Sequence, residues 1–343
     1  MLSPQNDMKF FYELLTQYSL DDKQAIISEG KGGANNTTRY IECLGHKYVI
    51  RVYETHQELE RVLVEHAILR QLNTYNRISF QVPQPIEANN GQTALRFPDG
   101  SGRISAISKY IEGLNPSFND HTSVYSFGQT AGLLMNTLCD IEINRSTVYR
   151  PYYEIAYTHP NCPPEYISRW CSQPPALLQD LSLQLQWISE QLSSFQNQVQ
   201  WLRQLPHQII HGDLNASNVL MDTDRTINAV LDFEFATEDL RVMEVAVCLS
   251  ELMVGEEDNS VMWDKLNIYM NGLKTNVQLN QHEIEALPTL VQLRRLDVFI
   301  HFLGRFLDGV DDVDVLRQHI VNASAKPDWI KTGGPKLVAL LER

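Results

Sequence analysis

Cysteine is scarce in this sequence and suggests no pairing. Cys43, Cys139, Cys162, Cys171 and Cys248 are odd in number among 343 residues and form no C-x-x-C pair. That argues against a disulfide framework and a cysteine zinc site, and it fits a reducing compartment. Long apolar runs are missing too: no stretch approaches the roughly 18 residues of a membrane span, and the N-terminus lacks a basic start followed by an apolar segment. Basic charge is in the minority, with 28 Lys and Arg against 42 Asp and Glu, for a net charge of −14. Binding to a phosphate backbone needs a concentrated basic surface, so no nucleic-acid partner is expected. No fixed-period repeat is visible and no segment has the composition of disorder. The expectation is a cytoplasmic protein with no membrane partner. At 43% hydrophobic content the chain is long enough for two domains.

The first third reads as strands with one main helix. Phe10, Phe11, Leu14, Leu15 and Tyr18 recur at helical spacing and predict a short lead-in helix. A strand from Ile26, the glycine-rich turn Gly30-Lys31-Gly32-Gly33 and a second strand follow. Glycines tolerate positive φ and close backbone approach, so such a turn can aim N–H groups at phosphate oxygens, although an ordinary hairpin has the same letters. Lys47 to Tyr53 alternates as a strand, placing Arg51 on a face with Val49 and Tyr53. Gln57 to Leu72 reads as a helix offering Glu58, Glu60 and Glu65. A strand cation paired with a helix carboxylate suits the positioning of nucleotide phosphates, and solvated surface charge accounts for the other glutamates. Pro98-Asp99-Gly100 marks a turn between two further strands, and the strand pattern stops near Glu112-Gly113.

Phe127 to Leu138 predicts a buried helix. The stretch 149–175 holds Pro151, Pro160, Pro163, Pro164, Pro174 and Pro175 among aromatics, a loop-rich insert. Ala176 to Leu205 has the spacing of one long helix or two, and Pro288 to Leu307 that of another.

The chemistry concentrates in His211-Gly212-Asp213-Leu214-Asn215-Ala216-Ser217-Asn218. A short apolar strand, Gln208-Ile209-Ile210, delivers it, and a hairpin follows that ends in Leu231-Asp232-Phe233-Glu234. The pattern H-x-D-x-x-x-x-N has three fixed positions, so at roughly 5% each it arises by chance in only a few per cent of chains this long. Two carboxylates and an amide in this context can hold a metal-nucleotide and activate a hydroxyl.

With these residues the chain resembles the aminoglycoside phosphotransferase and choline kinase superfamily, and within it most resembles the type II homoserine kinases. The likeness runs from Gly32-Gly33-Ala34-Asn35-Asn36 through Lys109-Tyr110-Ile111-Glu112-Gly113 to Asp232-Phe233-Glu234. The resemblance implies an α+β, two-lobed protein-kinase-like fold. A small antiparallel-sheet N-lobe over 1–112 would bind the nucleotide, and a larger, mainly helical C-lobe over 113–343 would carry the catalytic loop. It implies ATP and Mg²⁺, with Asp213 as the catalytic base and Asn218 and Asp232 as metal ligands. Gly32, Gly33, Asn36, Arg51, Glu65, Lys109 and Ile111 would be cofactor-binding, the last two through backbone contacts to the adenine. Arg51 stands where the superfamily usually has lysine; it keeps the charge on a wider, stiffer group. Glu65 is the chosen partner for Arg51, ahead of Glu60. Glu244 stands where relatives often carry an aspartate that braces the catalytic loop.

The implied activity is ATP-dependent phosphorylation of a small-molecule hydroxyl acceptor, with homoserine the best guess. Aminoglycosides, amino sugars and choline-like alcohols are the alternative, and a catalytically silent nucleotide-binding module is a more distant one. Cationic acceptors would call for acidic groups, and Glu256-Glu257-Asp258 and Asp308 to Asp314 are candidates. Arg294 or Arg305 would suit an acceptor carboxylate. From Asp232 to Glu244 the chain is too short for a protein-kinase activation segment, which favours a small acceptor. Nothing in the sequence sets an oligomeric state.

Overall fold

In the computed structural model, which describes residues 4–30, 36–54, 58–145, 149–256 and 258–342, the lead-in segment forms helix α1 (Pro4–Thr16). Strands β1 (Ile26–Glu29), β2 (Asn36–Cys43) and β3 (His46–Tyr53) follow. The β2–β3 connection is two residues, Leu44 and Gly45, with φ of 52° and 78°, and Cys43 pairs with His46. Positive φ at both positions is the type I′ geometry whose twist matches the flanking strands. Next come α2 (Leu59–Leu72), β4 (Ala94–Arg96) and β5 (Ile104–Lys109). The expected Pro98-Asp99-Gly100 turn joins β4 to β5, and the Asp99 carboxylate accepts the Ser101 N–H at 2.9 Å.

These five strands make one antiparallel sheet in the order β1-β2-β3-β5-β4. Ile50 and Val52 of β3 join α1 residues Phe11, Leu14 and Leu15 in one buried cluster, and Tyr53 joins Val62 of α2 in another. Successive strand side chains point to opposite faces, so Arg51 shares the α2 face with Tyr53.

The rest of the chain is mainly helical: α3 (His121–Leu138), α4 (Pro164–Ser172), α5 (Ser182–Phe195) and α6 (Val199–Leu202) precede the short strand β6 (His207–Ile210). Strands β7 (Val219–Met221), β8 (Ile227–Val230) and β9 (Thr237–Leu240) lead to α7 (Met243–Met253) and α8 (Asn259–Leu273). Helices α9 (Gln281–Leu307), α10 (Val313–Ser324), α11 (Trp329–Thr332) and α12 (Gly334–Leu341) finish the chain. β7 pairs with β8 and β6 with β9.

Two compact units result. One comprises Met1–Asn115, Ile141–Val148 and Asn218–Phe235; the other comprises Pro116–Asp140, Tyr149–Ser217 and Ala236–Arg343. The first contains the five-stranded sheet and the β7–β8 hairpin. The second is built around α7, nearly every residue of which is buried. Within it α3 and α8 touch backbone to backbone: a Cβ on Gly128 would lie 2.1 Å from the Tyr269 carbonyl, and one on Gly272 would lie 2.1 Å from that of Tyr125. Glycine at both positions is therefore a packing requirement.

Two helical readings are corrected in detail. The helix expected from Pro288 begins at Gln281, capped by Asn280, whose side chain accepts the Glu283 N–H while the Glu283 carboxylate accepts the Asn280 N–H. Proline favours a first turn, but this Asn-x-x-Glu capping box was the stronger start signal. The span Ala176 to Leu205 divides into a 3₁₀ turn over Ala176–Leu181, α5 and α6. Among the described residues no helix is long and apolar enough to cross a membrane.

Candidate functional site

In the first unit the site residues gather around Arg51. Its Nη1 lies 2.7 Å from Asp232 Oδ1 and 3.5 Å from Glu65 Oε1. β3 supplies the arginine, and α2 supplies Glu65 from a buried position on the same face. Glu65 also accepts the Tyr53 hydroxyl at 2.9 Å, and burial pushes its carboxyl up to about 7. Glu60 is 67% exposed and paired with Arg145, so Glu65 is the glutamate that meets Arg51.

Asp232 directly follows Leu231, just past the end of β8, and has φ of 65°. Aspartate enters this left-handed region more readily than most residues, and the conformation turns the chain abruptly after the strand. The Leu231 N–H donates to the Asn218 carbonyl at 2.8 Å, and Val219 pairs with Val230. Asn218 and Asp232 therefore stand at neighbouring ends of one hairpin. Glu234 was not anticipated. It is buried, accepts the Asn36 Nδ2 at 2.9 Å, and is pushed up to about 7 by burial. Asn36 thus contacts a carboxylate two residues beyond Asp232. Gly32 and Gly33 lie outside the described residues.

At the end of β5 the Lys109 N–H donates to the Gln84 carbonyl and the Tyr110 N–H to that of Lys47, both at 3.1 Å. Lys109, Tyr110 and Ile111 border a cavity of about 400 Å³ with Leu72, Phe80 and Val82.

The two metal candidates offer hard oxygen donors, one carboxylate and one amide. No group of three or more His, Cys, Asp or Glu capable of holding a metal occurs among the described residues. This donor set suits Mg²⁺, which binds through few protein ligands together with phosphates and water.

In the second unit Asp213 sits on a loop held from several directions. Gly212 before it has φ of 79°. Glu244, in the first turn of α7, accepts the His211 N–H at 2.6 Å and the Gly212 N–H at 3.3 Å with one oxygen, Oε2. Its Oε1 has no hydrogen-bond partner among the described residues, and burial raises its carboxyl above the usual range. The expected bracing contact is therefore present, made by glutamate. His211 is buried, and its Nδ1 accepts the Asp213 N–H at 3.2 Å, so the ring hydrogen-bonds within the loop. Asn215 Nδ2 donates to the Asp213 carbonyl at 3.0 Å, and the Ala216 N–H donates to Glu251 at 3.2 Å.

The Asp213 carboxylate pairs with Arg294 of α9. The other Arg294 nitrogen, Nη1, donates to the Tyr152 hydroxyl at 2.5 Å, and that hydroxyl donates to the Gly212 carbonyl at 2.6 Å. Tyr152 comes from the proline-rich insert, and its backbone N–H donates to buried Asp239 of β9 at 2.6 Å. Burial pushes the Asp239 carboxyl up to about 7. Tyr152, Asp239 and Glu251 carry no local motif, so only the fold reveals them.

Of the two arginines considered for an acceptor carboxylate, Arg305 is committed elsewhere, forked onto Asp311 at 2.5 and 2.9 Å. The acidic stretches are also occupied: Glu256 pairs with Lys265, Asp258 caps α8, and Asp312 caps α10. Glu257 lies outside the described residues.

Two homoserine kinases match most of the chain. The homoserine kinase of Beijerinckia indica is 24% identical over 299 residues, covering 84% of this chain and 82% of its own. That of Bradyrhizobium diazoefficiens is 23% identical over 285 residues, covering 82% and 79%. Among solved structures, the microcompartment-associated aminopropanol kinase aligns over 96% of this chain and 99% of its own, with a TM-score of 0.69 and 17% identity. Amicoumacin kinase in complex with AMP-PNP, Ca²⁺ and Ami aligns over 95% of both chains, with a TM-score of 0.68 and 15% identity. The choline kinase of Cryptosporidium parvum covers 98% and 100%, with a TM-score of 0.58 and 12% identity. These likenesses establish the kinase-like fold, a small antiparallel sheet with a larger helical part. The model of the phosphotransferase enzyme family matches residues 26–265, well over half of the sequence, and the chain belongs to that family.

Proposed function

We propose that this protein transfers the γ-phosphate of Mg-ATP to the side-chain hydroxyl of homoserine. The observation that carries the reading is the Arg51 guanidinium held between Asp232 and Glu65. A cation on a strand, braced by a buried glutamate and set beside a carboxylate at a hairpin end, provides for a nucleotide's phosphates and their metal. The names of the relatives supply the acceptor.

In this reading Arg51 takes the α- and β-phosphates, and Glu65 keeps its fork oriented. Asn218 and Asp232 would hold Mg²⁺, which would supply positive charge to offset that of the phosphates. Gly32, Gly33 and Asn36 line the phosphates, and the Lys109 and Ile111 backbone takes the adenine. Asp213 accepts the proton of the attacking hydroxyl. Phosphoryl transfer needs positioning and charge neutralisation more than covalent chemistry from the protein, and the Glu244 bridge to two consecutive amides supplies the positioning for Asp213.

Cationic acceptors are the second reading, but the acidic stretches that would serve them cap helices or pair with Lys265 and Arg305. The test is ATP consumption across homoserine, amino alcohols, sugars and aminoglycosides, with Asp213→Ala as control. Homoserine should be turned over best, and turnover should fall at least about 1,000-fold in the variant, a barrier increase of about 4 kcal/mol. Undiminished turnover by Asp213→Ala would remove Asp213 from its role as base.

A further inference from the structure

Arg294 of α9 pairs with the Asp213 carboxylate. Beyond its pairing with Asp213, it feels Asp297, three residues further along α9, and Glu251 of α7 feels it in turn. Asp297 accepts the Thr158 hydroxyl at 2.7 Å, and Glu251 accepts the Ala216 N–H at 3.2 Å. Asp297 and Glu251 are near enough to act on the guanidinium, and its direct pairing is with Asp213.

Under the function proposed above, Asp213 has to accept a hydrogen bond from the acceptor hydroxyl. An oxygen engaged by a guanidinium is committed to a strong, charge-assisted bond and is a weaker acceptor for a newcomer. An acceptor with its own carboxylate competes for that guanidinium, and an arginine fork matches a carboxylate in two parallel hydrogen bonds. An ammonium on the same molecule adds a cation to surroundings that hold the Asp213, Asp297 and Glu251 carboxyls. An amino alcohol brings the ammonium alone and leaves Arg294 on Asp213.

We propose that Arg294 is the specificity-determining residue of this site: it binds the carboxylate of a zwitterionic hydroxy-amino-acid acceptor and releases Asp213 in doing so. The proposal rests on the reading of Asp213 as the base. It separates this chain's acceptor class from that of amine-only alcohols by one residue of α9. Arg305, forked onto Asp311, does not compete for the role.

The experiment compares homoserine with 3-aminopropan-1-ol, the same molecule without its carboxylate, and with 4-hydroxybutanoate, the same molecule without its ammonium. In wild-type protein, kcat/KM for homoserine should exceed that for 3-aminopropan-1-ol by at least about 100-fold. Arg294→Gln should lower the homoserine value at least about 100-fold, mostly through KM, and should leave the 3-aminopropan-1-ol value unchanged or raise it, since the guanidinium no longer engages Asp213. The 4-hydroxybutanoate value should fall with that of homoserine. Arg294→Lys, which keeps the charge without the fork, should fall between wild type and Arg294→Gln and guards against a folding defect. An equal fold-loss on homoserine and 3-aminopropan-1-ol in both variants would overturn the proposal, because Arg294 would then serve only to hold Asp213. An unaltered homoserine preference in Arg294→Gln would overturn it as well. If no alcohol consumes ATP and calorimetry shows no Mg-ATP binding, the kinase reading itself fails. That result is distinct from ATP consumption that ignores the carboxylate.

Discussion

Arg51 and Asp232 are 181 residues apart in sequence and 2.7 Å apart in the fold. Glu65 closes on the same guanidinium from α2, so one arginine offsets two carboxylates. Replacing it leaves both without their cation. Arg51→Met should raise KM for ATP at least about tenfold and lower kcat, a combined loss of about 2–3 kcal/mol in kcat/KM. Arg51→Lys should recover part of this, since it restores the charge but not the fork. Steady-state kinetics at varied ATP checks both, and an unchanged ATP dependence in Arg51→Met would remove Arg51 from the nucleotide site.

Glu244 accepts two consecutive backbone N–H groups at the entry to the Asp213 loop. Glu244→Ala leaves both donors buried without that acceptor, at a cost of about 1–3 kcal/mol. Its melting temperature should fall and turnover with it. Glu244→Gln keeps an oxygen acceptor and should retain most of the stability with reduced turnover. If Glu244→Gln matched wild type in both thermal melting and kcat, the bracing role would have to be given up.

Gly272 has no room for a methyl group beside the Tyr125 carbonyl. Gly272→Ala should destabilise the protein by about 3 kcal/mol or more through overpacking against backbone. A substitution to Ala at exposed Gly309 should cost less: it meets no neighbour within 4 Å, although its φ of 71° adds strain. Denaturant melts of the two variants would rank them.

Asp239 introduces a pH dependence whose sign follows from burial. Its carboxyl is raised from 3.8 to about 7 in the folded state, so between those values the folded protein binds a proton that the unfolded chain has released. The contribution to stability is present in full below about pH 4 and is lost as pH rises through about 7, with a slope of at most about 1.4 kcal/mol per pH unit. Asp239→Asn should flatten that part of the stability profile, measured by denaturant unfolding between pH 4 and 8. An identical profile in the variant would show that Asp239 is ionised throughout.

Local chemistry accounts for what could be read in advance. The Asp213 to Asn218 spacing, the hairpin before Asp232 and the Pro98-Asp99-Gly100 turn depend on residues a few positions apart. Strand and turn preferences act at that range. Glu65 opens the apolar stretch Ala67-Ile68-Leu69, which marks a buried face of the helix, and the fold places Glu65 beside Arg51 and leaves Glu60 at the surface.

The surroundings of Asp213 belong to longer range. Arg294 reaches it from 81 residues away, and Tyr152 reaches Gly212 from 60 residues upstream out of a segment legible only as a proline-rich loop. Periodicity places Arg294 within a helix from Pro288 to Leu307 but does not say which carboxylate it meets. By itself the sequence determined the spacing of Asp213, Asn218 and Asp232 and the strands that deliver them, because those groups sit within short motifs. Only the tertiary structure decided that the aspartate read as the base rests against an arginine. Such pairings form when distant helices pack, and no short-range preference encodes them.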